Sequence, residues 1–292
     1  MRIAHLIIAH KNPGQLERLI VSMKHAMFDL YIHLDKKTDI ASFRHIESHE
    51  NVYFIKNRIE CNWGGYSIVR AILNSIEEVL NCGKQYKFLN LMSGQDYPLT
   101  STGDIYVYLS KRLNNSFVEY DTLDTAWLED AVTRYEFYHF TDLKLIGRYF
   151  LQKIVNTLMP RRKFPLNLSL YGSNRSTWSV LSVDAARYLV SFVKDNSKLD
   201  RFMKFTWGAD EFLIATIIMN SPFKDKVINN NLRYVDWSGG DAHPKVFSKD
   251  DLSDLIKADK YFARKFDITV DEEILDLIDH KNKVSLRNNF IQ

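Results

Sequence analysis

The stretch from Tyr86 to Leu99, Y-K-F-L-N-L-M-S-G-Q-D-Y-P-L, restricts the fold of this chain more than any other. Phe88, Leu89, Leu91 and Met92 form a short apolar run, which marks a strand buried on both faces. Ser93, Gly94 and Pro98 stop that strand abruptly. Before it, Ile68, Ala71, Ile72, Ile76, Val79 and Leu80 recur at helical spacing. A helix leading into a doubly buried strand is a step of a parallel sheet. Ligands of such sheets bind beyond the carboxyl ends of the strands, so the S-G-Q-D-Y-P turn should line a site. Asp96 is its one charged group; the competing reading is that Asp96 only caps the turn.

The rest of the first half fits the same scheme. Ile3 to Ala9 reads as a buried first strand and His10-Lys11-Asn12-Pro13 as its turn. Leu16, Leu19, Ile20 and Met23 mark an amphipathic helix. Strands follow at Leu30–Leu34, Val52–Ile55 and 87–92, with a helix at 68–80. Together these predict an α/β fold with a Rossmann-like, mainly parallel sheet flanked by helices. Neither G-x-G-x-x-G nor a Walker A sequence is present, so a nucleotide would be held in another way. In the second half, a strand is expected at 117–120 and helices at 126–140 and 143–158. A strand at 178–181 leads to a helix at 184–194. A buried helix at 210–220, a strand at 227–237 and short helices at 252–256 and 270–278 complete the prediction. No Gly/Ser/Pro-rich linker separates the halves, which predicts one domain over 1–292.

The 292 residues are 46% apolar and 13% aromatic, enough for a sizeable core and against global disorder. A net charge of +3 suits an anionic ligand but is too small to argue for nucleic acid. Cys61 and Cys82 are the only cysteines, which predicts a reducing compartment rather than a disulfide framework. The opening M-R-I-A-H-L-I-I-A-H-K is too short for a signal peptide or a membrane span, and no other run is long enough to cross a bilayer.

Several residues could carry chemistry. Arg264 and Lys265 stand side by side in an aromatic frame, and a guanidinium fork with a point charge suits a diphosphate; a solvated basic pair is the alternative. Trp63-Gly64-Gly65-Tyr66 sets two glycines, which allow close backbone approach, against two aromatic rings of the kind sugars favour. A tight loop with core aromatics has the same pattern. Asp210-Glu211 opens the expected 210–220 helix, whose N-terminus favours an ionised carboxylate, the state a general base needs. Ordinary capping would use the same residues. His33 and His243 lack partners at metal-site spacing and read as structural.

Eight landmarks run in order along nearly the whole chain: I-I-A-H-K, Y-I-H-L-D-K-K, W-G-G-Y-S, L-M-S-G-Q-D-Y-P-L, Y-G-S-N-R-S-T-W, A-D-E-F-L-I-A-T, N-L-R-Y-V-D-W and F-A-R-K-F-D. In these the chain resembles glycosyltransferase family 14, which includes the core-2/I-branching β-1,6-N-acetylglucosaminyltransferases and the peptide O-xylosyltransferases. The resemblance implies a GT-A-type fold, a UDP-sugar donor, inversion at the anomeric carbon and catalysis without a metal. Where many GT-A enzymes carry a manganese-binding Asp-x-Asp pair, this chain has Ser93-Gly94-Gln95-Asp96, one carboxylate for a cation that needs more.

Residue by residue, Glu211 matches the family's general base. Arg264 and Lys265 match the basic residues that neutralise the diphosphate. Asp35 and Arg58 match positions at the uracil end. Trp63, Gly64, Gly65, Tyr66, Ser67 and Asp96 match loops around the donor sugar. Arg134 and Tyr135, with Trp178 and Trp237, are the candidates on the acceptor side, where the resemblance is weakest. On this reading 1–120 is the nucleotide-sugar-binding half and 121–292 the acceptor-binding and catalytic half. The eukaryotic branching enzymes have an anchor and several cysteines; this chain has neither, so it resembles a bacterial, cytoplasmic member.

The expected activity is transfer of a sugar, first N-acetylglucosamine, from a UDP donor to a glycan hydroxyl in surface polysaccharide or lipopolysaccharide synthesis. No cofactor, metal or nucleic acid is expected. UDP-xylose, UDP-glucose and UDP-glucuronate are the next donors. The rivals are a glycoside hydrolase using Asp96 and Glu211 as its two carboxylates, and a non-catalytic glycan-binding protein of the same fold. The acid-free segment 143–163 carries six cations and apolar residues at helical spacing, a pattern that fits peripheral contact with an anionic membrane or with a lipid-linked acceptor. A helix packed on the core is its alternative.

Overall fold

The structure, a computed structural model, describes residues 1–121 and 126–289. The amino-terminal half builds the central sheet: β1 (Ile3–Ala9), α1 (Pro13–Ser22), β2 (Phe28–Leu34), β3 (Val52–Phe54), α2 (Ser67–Leu80), β4 (Phe88–Ser93), β5 (Tyr97–Pro98), α3 (Thr102–Ser110) and β6 (Ser116–Phe117). Then come α4 (Ala126–Glu136), α5 (Arg148–Leu158), β7 (Val180–Ser182), α6 (Val183–Asp195), α7 (Ser197–Met203) and α8 (Leu213–Met219). The chain ends with β8 (Val227–Ile228), β9 (Arg233–Val235), α9 (Leu252–Lys257), β10 (Phe262–Arg264) and α10 (Glu273–Asn289).

Seven strands form the main sheet in the order β3-β2-β1-β4-β7-β6-β8. The first four are mutually parallel, β7 runs antiparallel to β4 and β6, and β8 is parallel to β6. This is the mixed α/β, mainly parallel architecture expected from the sequence. A second sheet, β5-β10-β9, stands beside it.

The apolar runs of β1 and β4 are continuous because the sheet is covered on both sides. Along β1, Ile3, Ile7 and Ala9 face the layer that holds Leu19, Phe28 and Phe262, while Ala4 and Leu6 face the layer of α2, α6 and α8. Along β4, Phe88 and Met92 alternate with Leu89 and Leu91 in the same way.

Two polar residues interrupt the first of these faces at matched register, His5 opposite Asn90. The Asn90 amide lies 3.0 Å from His5 Nδ1, and its oxygen accepts from Arg233 Nη2 at 2.6 Å. Arg233 is 2% exposed and also donates to the Leu91 carbonyl at 2.6 Å and to Asp96 Oδ2 at 3.2 Å. A guanidinium rooted on β9 therefore ties the small sheet to the carboxyl end of β4.

Several expected elements differ in detail. The strand at 227–237 is two short strands in different sheets, because Leu232 takes φ 63° after the Asn230-Asn231 turn. The buried helix at 210–220 begins only at Leu213; Ala209–Glu211 is a separate 3-10 turn ending at Phe212, φ −139°. The 143–158 helix starts at Arg148, after Gly147 with φ 79°. The carboxy-terminal helix extends well past 278. Among the described residues no helix is long and apolar enough to cross a membrane.

The Arg233 tie generates a stability prediction. Arg233→Met leaves the Asp96 carboxylate buried and half-paired, so the free energy of unfolding should fall by about 3–5 kcal/mol in urea titration. A change within experimental error would mean that the ion pair is not what joins the sheets.

Candidate active site

A cavity of about 1080 Å³ opens at the carboxyl ends of β1, β2 and β4. Ala9 and Ser93 form part of its floor. Gly94 passes so close behind that an added Cβ would stand 3.0 Å from the Ala9 Cβ. The second sheet brings β10 to the same edge, and its end supplies Arg264 and Lys265.

One wall is cationic. Arg264 lies with its guanidinium 5.0 Å from the Trp178 ring centre and its Nε 3.5 Å from Asp96 Oδ1. Burial pushes the Arg264 pKa down, and Asp96 and Asp210 act against that shift. Lys265 is also pushed down, first by burial and then by repulsion from Arg264 and Lys11. Among the described residues its ammonium has no carboxylate within ion-pairing distance. Lys11, on the same wall, is held by Asp267 at 2.5 Å. Burial alone would raise Asp267, but its bonds from Lys11 and Thr269 override this and hold it at about 2. These cations crowd one another, a strain that a multivalent anion relieves.

Another part of the lining is acidic. Asp210 and Glu211 both line the cavity from the 3-10 turn. Thr177 donates to Asp210 Oδ2 at 3.0 Å, and Arg134 of α4 reaches across to pair with Glu211 while also binding Asp130 at 2.7 Å. Burial raises the pKa of both carboxyls. Asp210 raises Glu211 further, whereas Arg134 holds it down. The expectation that a helix N-terminus keeps these acids ionised is corrected: they precede α8 by a turn, and burial, Thr177 and Arg134 set their charge.

The turn itself depends on glycine. Gly208 sits at φ 61°, and a Cβ there would meet Arg134 Nη1 at 3.0 Å. Gly64, at φ 69°, lies under Trp207, whose Nε1 would be only 2.3 Å from an added Cβ. Gly208 N donates to Gly64 O at 2.8 Å, and Trp63 meets Trp207 edge-on at 5.4 Å. The W-G-G and W-G-A-D-E stretches, far apart in sequence, thus form one edge of the cavity.

Of the residues singled out from sequence, Asp35, Trp63, Gly64, Arg134, Trp178, Glu211, Trp237, Arg264 and Lys265 line this cavity. Others stand behind it. Arg58 spends its guanidinium on the carbonyls of Leu34, Asp35 and Thr38 at 2.9, 2.8 and 2.5 Å, so it shapes the loop under Asp35 instead of facing the cavity. The Asp35 carboxylate is itself engaged by Lys37 N at 2.8 Å and Cys61 N at 3.3 Å. Gly65 and Ser67 are clamped by Asp142, which accepts from Ser67 N at 2.8 Å and Ser67 Oγ at 2.7 Å. Tyr66 is buried with its hydroxyl on Asp200, and Tyr135 packs among Phe164, Phe202 and Phe212.

Asp96 is the clearest correction. It is 1% exposed and fixed between Arg233 and Arg264, so it does not line the site as its place in the S-G-Q-D turn implied. That removes the second carboxylate the hydrolase reading required. The residues that sequence reasoning passed over include Thr177, Trp127 and Trp207. All five tryptophans of the chain line this one cavity. Their concentration was not visible from spacing, since they come from five separate segments.

The family model described as "Core-2/I-Branching enzyme" matches residues 3–256. Among curated proteins, xylosyltransferase 2 of Canis lupus familiaris is 26% identical over 96% of this chain and 33% of its own length. Xylosyltransferase 1 of Rattus norvegicus is 26% identical over 96% of this chain and 35% of its own. The chain spans about a third of the length of these relatives. Among solved structures, mouse xyloside xylosyltransferase 1 aligns with TM-score 0.42 and 11% identity over 89% of this chain and 97% of that one. With the family model matched across most of its length, this chain belongs to the Core-2/I-Branching enzyme family.

Proposed function

We propose that the chain is an inverting glycosyltransferase that moves a sugar from a UDP-sugar to a glycan hydroxyl without a metal. One observation carries the reading: a carboxylate pair and a cation cluster, of which Lys265 has no carboxylate partner among the described residues, line one tryptophan-lined cavity. In this reading Glu211 takes the proton of the acceptor hydroxyl as its oxygen attacks C1. The bond from C1 to the UDP oxygen breaks on the opposite side, and Lys265 and Arg264 stabilise the charge that gathers on the diphosphate. Arg134 orients Glu211 and favours its ionised form against burial and Asp210. The tryptophan rings offer apolar faces to the sugars. Metal independence is supported by the S-G-Q-D turn, whose one carboxylate, Asp96, is already engaged by Arg233 and Arg264.

N-acetylglucosamine remains the first donor sugar by resemblance to the branching enzymes. The relatives named xylosyltransferases support UDP-xylose equally, ahead of UDP-glucose and UDP-glucuronate. The acceptor class we favour is a surface polysaccharide or lipopolysaccharide intermediate. Two free cysteines support a reducing, cytoplasmic setting. A screen of UDP-sugars for slow donor hydrolysis tests the donor. A non-catalytic glycan-binding role has one observation in its favour, the Arg134 pairing that occupies Glu211. UDP release with any donor and acceptor excludes it.

UDP should bind in calorimetry with an affinity unchanged by EDTA, and Lys265→Ala should weaken it by about tenfold, the worth of one charge-assisted contact. Loss of binding on chelation, restored by manganese, would overturn the metal-free mechanism.

Glu211→Gln should lower kcat by at least about a hundredfold while UDP affinity stays near normal, because a base acts on the acceptor. Retained turnover would move the base elsewhere.

The rate should also carry an acid limb. Glu211 titrates above the usual 4.5, so lowering the pH through that raised value protonates the base and kcat falls. Arg134→Gln removes the cation that favours the charged form and should move the limb to higher pH. A pH–rate profile with its limb at or below the ordinary glutamate value would contradict this electrostatic account.

A further inference from the structure

The helix α5 is built inside out. None of its residues is buried, and two of its polar side chains, Gln152 and Asn156, face the protein. Gln152 accepts from Phe140 N at 2.8 Å, and Asn156 both accepts from Tyr138 N and donates to Tyr138 O at 2.8 Å. The opposite face carries Phe150, Ile154 and Leu158, the first and last 72% and 77% exposed, Tyr149 is exposed at the flank, and Ile146 in the preceding loop is fully exposed. Water meets an apolar face that a packed helix would hide, which is the mark of an interaction surface. The packed alternative weighed from sequence is thereby set aside.

Charge selects the partner. No acidic residue occurs from 143 to 163, while Lys153 and Lys163 are exposed and form no ion pair among the described residues. Lys144 and Arg161 add charge at the two ends, partly countered by Glu60 and Glu136. Arg162 is different: it is buried, held by the carbonyls of Phe137, Phe202 and Phe205, and anchors the segment to the body. Two such faces brought together in a dimer would oppose like charges. An anionic surface with an apolar interior matches both the cations and the rings.

We propose that Ile146, α5 and the flanking cations dock on an anionic lipid bilayer, with Phe150 and Leu158 entering the acyl boundary and Lys153 and Lys163 meeting the headgroups. This surface is distinct from the cavity, and the proposal does not depend on the sugar chemistry argued above.

Vesicle flotation with the full chain at low salt tests it. The chain should float with phosphatidylcholine vesicles containing a third phosphatidylglycerol at least about tenfold more than with phosphatidylcholine alone, and physiological or higher salt should reduce the difference. Phe150→Ser with Leu158→Ser, and separately Lys153→Glu with Lys163→Glu, should each abolish flotation. Both pairs replace exposed side chains, so unchanged thermal unfolding confirms that the variants fold. Three results would overturn the proposal: no flotation with anionic vesicles, wild-type flotation by both variants, or self-association lost in the Phe150/Leu158 variant without any lipid binding. The last would assign the face to a second copy of the chain.

Discussion

The arrangement rests on one buried guanidinium. Arg233 enters the apolar layer between the two sheets and finds an acceptor for each direction of its fork: Asn90, the carbonyls of Leu91 and Asn231, and Asp96. Burying such a charge costs more than its Coulomb attraction returns unless every donor is met, so this network has little slack. Its position explains why an asparagine and a histidine interrupt two otherwise apolar strands. His5 stays neutral, its pKa driven to about 3 by burial and then by Arg233 itself, because a second cation there could not be compensated. What looks like a flaw in the hydrophobic pattern is the seat of the joint.

The joint also positions the chemistry. Asp96 divides its two oxygens between Arg233 and Arg264. Arg264 thereby stands at the cavity wall with its rotamer restrained from behind, while Lys265 beside it has no such partner. A wall of this kind has already met the cost of bringing like charges together before any ligand arrives. Preorganised charge of that sort stabilises a leaving anion without reorganisation during the reaction. The acidic wall follows the opposite rule. Burial drives Asp210 and Glu211 toward neutrality, and Arg134 acts against that shift at Glu211, whose pKa stays raised.

Much of this was legible in the residues. The continuous runs at Ile3–Ala9 and Phe88–Met92 specify a doubly covered sheet, and the sheet specifies which turns meet at its carboxyl edge. Arg264-Lys265 and Glu211 stood out by residue type, and the structure brings them to one cavity. What local pattern could not convey was direction. Asp96 sits in a turn that borders the site, yet its side chain points into the protein, because a partner 137 residues away claims it. Arg58 looked available for a ligand, yet three backbone carbonyls absorb it. The apparent helix start at Asp210 misled for a related reason: Phe212 leaves helical geometry between the acids and α8, which residue type does not reveal. Facts of this kind depend on tertiary partners that no spacing encodes.

The two walls differ in what supports them. Arg264 and Lys265 stand at the end of β10, the central strand of the small sheet, and Lys11 on the exposed turn after β1. Arg134, by contrast, belongs to an arm running from α4 to Lys163 that joins the body through aromatic packing of Tyr135, Tyr138 and Phe140 as well as through backbone hydrogen bonds. Trp207 N donates to the Arg134 carbonyl at 3.1 Å and His139 N to Phe205 O at 3.0 Å. Asp142, from the same arm, clamps Ser67 and so fixes the W-G-G loop against Trp207. Arg264 thus stands on sheet backbone, whereas Arg134 stands on a helix packed beside the cavity edge. On the proposed function, the Arg134–Glu211 pair must loosen before that carboxylate can accept a proton from a hydroxyl.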